Sequence, residues 1–336
     1  TLTVRDASGQ SNATTIAVEA IARDGTTYYV DSELGDDLND GKSQGAGAWK
    51  TATYAFRGMA QSRYRPGDRI LFKRGQTFEM VSGTNSPGHY AAKYGYLFGA
   101  YGSGPKPVIQ HVGENTANII NQVGTGLAHF AITDLEFRLT TPEGLVAGDL
   151  FFSSQAMQNV LFLRVDIKDF SRGIIVSGGG QASGIFMVGC TMHNSTATHT
   201  LVTGCRLALL DSTLALGGNH LCYFAYVDKG VISGNTLSRP PFGRHALRLC
   251  GLSETQITNN VYISNNRISG WIDPISTGDA HNGGGKNYNW LLVHFAPNEN
   301  SLKPAENIVF ENNTVVDGQC LLNVGSAENV EIRDNL

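Results

Sequence analysis

The 336-residue chain balances 25 Lys and Arg against 29 Asp and Glu, for a net charge of −4, and contains 40 glycines. No basic run is present, which argues against nucleic acid as a partner, and no apolar stretch reaches the ~18 residues of a membrane span. High glycine with frequent Asn, Ser and Thr fits a turn-rich all-β chain rather than a helical one. Residues 1–24 read as two strands around a turn: TLTVR alternates, DASG turns, and NATTIAVE at 12–19 alternates again. In residues 49–60, Ala52, Ala55, Phe56 and Met59 fall on one helical face, Thr51 is the candidate N-cap, and Pro66 and Gly67 close the segment off. A strand, DRILFKRG, follows at 68–75.

Farther along, repetition takes over. VISGNTL (231–237), YISNNRI (262–268), VFENNTV (309–315) and EIRDNL (331–336) share an apolar–polar alternation with an Asn at one fixed place: Asn235, Asn266, Asn313 and Asn335. The same frame runs back through Ser212, Cys190, Val165 and Leu135. From Leu135 to Asn335 the steps are 30, 25, 22, 23, 31, 47 and 22 residues. Short strands and turns at this period signal a solenoid, with the long steps carrying loop insertions. An Asn at each bend can bond its counterpart one coil away, at the ~4.8 Å strand spacing. A second column, eight to ten residues farther on, begins each next strand: Arg172, His199, His220, His245, Asn289 and Gln319. Alternation from that column predicts Ile174, Leu201, Cys222, Leu247, Leu291 and Leu321 inside, and Val202, Tyr223, Arg248 and Leu292 outside.

Candidate chemistry gathers on two neighbouring coils, at His220, Tyr223, Arg244, His245 and Arg248. Two imidazoles one strand spacing apart cannot both carry charge cheaply, so one should stay neutral near pH 7. Arg248 offers a clamp for a carboxylate and Tyr223 a proton donor, the set that eliminative cleavage of a uronate chain needs. The alternative is a stacked polar ladder of His199, His220 and His245 at a bend. The insertion at 270–304 supplies Trp271, Lys286 and Tyr288 as candidate sugar contacts, with His281 and His294 nearby in sequence. A hydrolase would need paired carboxylates; Asp166 with Asp169 or Asp211 with Asp228 are the candidates, and neither recurs in the outward positions. The acidic run Asp31, Asp36, Asp37 and Asp40 could hold Ca2+, but an EF-hand loop from Asp36 places Leu38 at a ligand position and Gly47 where Glu belongs. Capping of turns is the favoured account of that run, and no other metal or cofactor is expected. The five cysteines show no CxxC, which points to buried thiols or at most one bridge.

Two resemblances add to this reading. Residues 1–24 resemble the last hairpin of a PKD-like, immunoglobulin-like module. From Tyr28 onward, the order YYVD, GDD, W.T, PGD.ILF.RG and FGAYGSGPKPVI resembles the start of the secreted right-handed parallel β-helix (pectate-lyase-like) superfamily. That resemblance covers 25–336 and implies a solenoid plugged by a short helix, a secreted or cell-surface setting and a polysaccharide partner, with continuation past residue 336. It is unspecific for activity. Three classes stay open: a lyase or epimerase on uronate polymers, a carbohydrate-binding or adhesive module, and a self-assembling repeat of an extracellular fibre or layer.

Overall fold

The computed structural model describes residues 2–5, 11–14, 24–61, 63–81, 95–112, 118–122, 127–141, 144, 146, 148–155, 157–177, 182–241, 244–251, 253, 256–270, 291–295, 305–317, 320–325 and 327–336. Among them the chain is a parallel β-helix. Three parallel sheets of 11, 9 and 8 strands run along it, and each complete coil contributes one strand to each in turn, the terminal coils among the described residues contributing fewer. One such coil is Val160–Leu163, Asp166–Phe170 and Arg172–Val176. Its three strands pair with Ala182–Val188, Thr191–Ser195 and Thr200–Thr203 of the next coil. Strands Leu2–Arg5 and Ser11–Thr14 pair antiparallel, as the alternation in residues 1–24 predicts.

A short-range rule turns the chain from the first sheet to the second. Asp134, Arg164, Gly189, Asp211, Gly234, Asn265, Asn312 and Asp334 all hold φ between 49° and 72°. Each directly precedes one member of the predicted column, from Leu135 to Asn335. A single left-handed residue bends the strand, and Gly, Asn and Asp take that conformation most easily. At Gly234 a Cβ would also meet Asp211 Oδ1 at 2.3 Å, so a larger residue there needs that carboxylate to swing aside.

The column residue then points inward. Asn235, Asn266 and Asn313 are buried. The Asn235 amide donates to Asn266 Oδ1 at 2.9 Å, Asn266 to Asn313 Oδ1 at 2.9 Å, and Asn313 to Asn335 Oδ1 at 3.1 Å. Each acceptor oxygen also receives the backbone N–H one coil back, at 2.8–3.0 Å. The remaining amide protons go to the carbonyls of Leu209, Ile232 and Ile263. Every amide is thereby satisfied, which is what makes buried side-chain amides tolerable. Ser212 and Cys190 extend the same ladder.

Helix α1 (Ala52–Ala60) is capped by Thr51, whose hydroxyl accepts the Tyr54 N–H at 3.1 Å. Its Ala52, Ala55, Phe56 and Met59 are buried, and Phe56 stacks on Phe98 at 4.6 Å. Inside the coils the core is aliphatic and aromatic: Phe137, Ile167, Met192, Leu214, Leu237 and Ile268 stack in register on the second sheet. Cys190, Cys222 and Cys250 are buried free thiols.

The third sheet corrects part of the predicted in–out pattern. Its inward positions are Ile174, Thr200, Cys222, Leu247, Val293 and Leu322 in register, followed by Val176, Val202, Phe224, Leu249 and Phe295. Leu201 therefore faces out beside Tyr223, and Val202 is fully buried. Leu321 is 40% exposed rather than internal. Leu292, expected outside, keeps the strand parity of outward His294 and is nonetheless buried, without any change of phase. A shift of one residue exchanges the two faces of a strand, and Thr200 is a buried polar residue that disguised the true phase. The side chain of Leu291 lies outside the described residues.

Candidate functional site

The outward row of the third sheet carries the chemistry. Register sets Phe152, Ile175, Leu201, Tyr223, Arg248, His294 and Asn323 side by side on successive strands. The row changes from apolar to polar between Leu201 and Tyr223. His220 and His245 sit just ahead of strands Cys222–Ala225 and Leu247–Cys250, where the pairing of Cys222 with Leu247 makes them level. Their rings stack at 4.9 Å and 25°. His294 meets His245 at 4.9 Å and 62°, Tyr223 lies 5.3 Å from His220, and the Arg248 guanidinium stands 5.1 Å over the Tyr223 ring. Arg248, Tyr223 and three imidazoles thus form a continuous chain of ring contacts across three coils.

Electrostatics divide the imidazoles. His220 is buried, and its Nδ1 accepts the His245 backbone N–H at 3.1 Å. Burial first, then the positive groups His245, Arg248, Arg244 and His294, push its pKa down to about 3. The ring is neutral at pH 7, and with Nδ1 accepting, its proton sits on Nε2. His220 is consequently a donor at neutral pH and has no spare base at Nδ1. His294 is lowered from 6.5 by burial and by Arg248. Burial pushes the Cys250 thiol up, partly offset by Tyr223 beside it. Two buried nitrogens, Nε of Arg248 and Nδ1 of His294, have no hydrogen-bond partner among the described residues. No described carboxylate forms a salt bridge with Arg248.

His199 stands apart from this group. Register puts Thr198, one residue earlier, level with His220. His199 is fully buried, with Nε2 on the Ala215 carbonyl at 2.8 Å and Nδ1 on Ser195 Oγ at 2.9 Å. It packs edge-on against Phe170 at 5.2 Å, and burial lowers its pKa to about 4. This histidine is architectural.

Of the residues singled out in the sequence, His220, Tyr223, Arg244, His245 and Arg248 come together. Arg244 is half-buried and close enough to depress His220. Trp271, Lys286 and Tyr288 lie outside the described residues. His294 was visible as part of the insertion but had no assigned role. Its signal was the alternation in Leu291–Phe295, which puts it beside Arg248 once Val293 is matched to Leu247.

The carboxylate pairs do not assemble here. Asp166 is held by Lys106 at 2.8 Å, and Asp169 accepts the Asn194 amide at 2.6 Å, both on the second sheet. Asp211 forms a bend, while Asp228 begins a first-sheet strand opposite Asn259. In the acidic run, Asp31 accepts the N–H groups of Glu33 and Leu34 and pairs with Lys73 at 2.8 Å. Asp36 and Asp40 each accept an N–H two residues on, and Asp37 takes those of Lys50 and Thr51. These carboxylates are organised as turn and helix caps.

No protein-family model matches the chain, and no curated protein matches it. Solved structures do. The selenomethionine form of the GH136 lacto-N-biosidase from Eubacterium ramulus superposes with a TM-score of 0.52 at 15% identity, over 93% of this chain and 68% of that one. For its native form the values are 0.49, 13%, 92% and 59%, so the chain spans less than two thirds of that protein. A rhamnogalacturonan lyase gives 0.49 at 12% identity, over 93% of this chain and 87% of that chain. At such identity the likeness is one of fold.

Proposed function

We propose that this chain is part of a secreted, polysaccharide-active protein whose third-sheet row acts on an acidic glycan by lyase or epimerase chemistry. The observation that carries the reading is the contact of Tyr223, Arg248 and the imidazoles on one outward row, with no described carboxylate neutralising the guanidinium. A cation in that setting favours an anionic ligand. Arg248 neutralises the uronate carboxylate and so acidifies the neighbouring C–H. His245 removes that proton, a C=C bond forms as the C–O bond to the leaving sugar breaks, and Tyr223 protonates the departing oxygen. The Nε2–H of His220 steadies the bound ring. Epimerisation shares the first step and returns a proton to the opposite face. Reading the site as acidic-glycan chemistry sets hydrolysis of a neutral sugar aside, because the cluster lacks a described carboxylate pair.

The test is incubation with a panel of uronate polymers, following the ultraviolet absorbance of the unsaturated product and, in deuterated water, exchange of the acidic C–H. Either signal is expected on at least one polymer, and its loss is expected in His245→Ala. A protein that binds uronates but gives neither signal is a binding module, and the catalytic reading falls.

A further inference from the structure

Arg248 and His294 deserve to be treated as one unit. They are register partners on strands Leu247–Cys250 and Leu291–Phe295 and face outward from the same sheet. Each contributes one buried nitrogen without a partner among the described residues. A buried polar atom left without a hydrogen bond is unfavourable, the more so at a charged group. Two such atoms on adjacent strands, beside the Tyr223 and histidine cluster, leave room for a ligand to complete both.

We infer that Arg248 and His294 together form the subsite for a glycan carboxylate, the guanidinium donating from Nε and the imidazole, protonated on binding, from Nδ1. A carboxylate accepts both bonds and compensates the cation. A sugar hydroxyl can also pair with these two atoms, accepting from Arg248 and either donating to a bare Nδ1 or accepting from a neutral Nδ1–H, but it leaves the guanidinium charge unanswered. The inference rests on the acidic-glycan reading of the site and adds its carboxylate pocket.

The consequence is proton-linked binding. The groups facing His294 among the described residues are Arg248 and His245 from the preceding coil, with His220 and Tyr223 one coil farther back. Asn323 faces it from the following strand, and its own strand holds no other titratable residue. Without ligand, burial and Arg248 keep the imidazole neutral at pH 7. A bound carboxylate raises its pKa, so the complex takes up a proton between the two values. Affinity therefore climbs as pH falls through that window and levels off below it.

The experiment is titration calorimetry with tetragalacturonate and its methyl ester, between about pH 5 and pH 8. It is run in two buffers of different ionisation enthalpy so that proton uptake is measured directly. The native chain should bind the acid, take up as much as one proton and bind the ester far more weakly. His294→Gln should abolish the uptake and weaken low-pH binding by ~10–100-fold, the worth of one hydrogen bond to a charged group. Binding by the native chain without proton uptake overturns the inference, and so does uptake that survives in His294→Gln. Should the variant fail to fold, the native uptake alone still decides. No binding of the acid at all removes the acidic-glycan reading together with the subsite. Binding with uptake but no turnover leaves the subsite intact and removes only the catalysis.

Discussion

Two polar columns run along this solenoid, and they end differently. At the first bend, Asn235, Asn266, Asn313 and Asn335 repeat on successive coils; the buried members engage both amide protons, and each side-chain oxygen accepts at least one hydrogen bond. On the third sheet, Tyr223, Arg248 and His294 also occupy one place on successive coils, yet each is a different residue and two buried nitrogens lack partners among the described residues. Identical groups at strand spacing can satisfy one another, so the Asn column closes on itself and becomes architecture. Unlike groups cannot, and a cation among imidazoles needs something from outside. His199 shows the same division within one residue type: with both ring nitrogens bonded it belongs to the scaffold.

The contrast is breakable. The largest effect is expected at His245, which the site reading makes the base. His245→Ala should lower turnover on a uronate polymer by ~10²–10⁴-fold while the melting temperature stays nearly constant. A drop in melting temperature with unchanged turnover would move His245 to the scaffold side. Leu247, two residues on but inward, should do the opposite. Leu247→Ala leaves a cavity between Cys222 and Val293 and should cost roughly 2–5 kcal/mol in urea unfolding. Its effect on turnover measured well below the transition should be small.

Within the Asn column, Asn266→Leu strips partners from Asn235, Asn313 and the Ile232 carbonyl. A loss of about 1–3 kcal/mol is expected, read from the denaturant midpoint. Unchanged stability would mean that the ladder follows the bend rather than holding it.

The buried histidines give a gentler test. His199 and His220 have pKa values near 4 and 3, below the usual 6.5. Between those values and 6.5 the unfolded chain binds more protons than the folded one. Stability from this source is therefore complete above pH 6.5 and lost as pH falls toward the folded values, with a slope of at most about 1.4 kcal/mol per pH unit per histidine. His199→Gln should flatten that acid limb in a pH series of thermal melts; a limb of undiminished slope would assign it to other groups.

Smallest of all is Arg164, a left-handed residue in a column otherwise filled mainly by Gly, Asn and Asp. Its bidentate pair with Asp134 is exposed, so Arg164→Asn exchanges a weak ion pair for an easier backbone. A gain under about 1 kcal/mol is expected, and a clear loss would show that the pair matters more than exposure suggests.

Much of the scaffold could be read before any coordinates. The Asn column was legible because its cause is local and repeated: a residue suited to positive φ, then an Asn, then alternation. The helix face and its Thr51 cap were legible for the same reason. The inward phase of the third sheet was not. Residues 199–203 read HTLVT, and hydrophobicity alone nominates Leu201 as the core residue, whereas the lattice of neighbouring strands selects Thr200 and Val202.

The sequence by itself determined that the chain coils, where it bends, and that His220, Tyr223, His245 and Arg248 share two adjacent coils. Each of these follows from spacing within a coil, which short-range sterics and strand alternation control. Tertiary structure decided which imidazole belongs to the scaffold, which is a neutral donor, and that His294 stands beside Arg248. Those outcomes depend on burial, on hydrogen bonds between residues 16 to 25 apart in the chain, and on a strand register reached across a 46-residue separation from Leu247 to Val293. No local pattern encodes them, because a loop's length does not fix the register at which the chain returns.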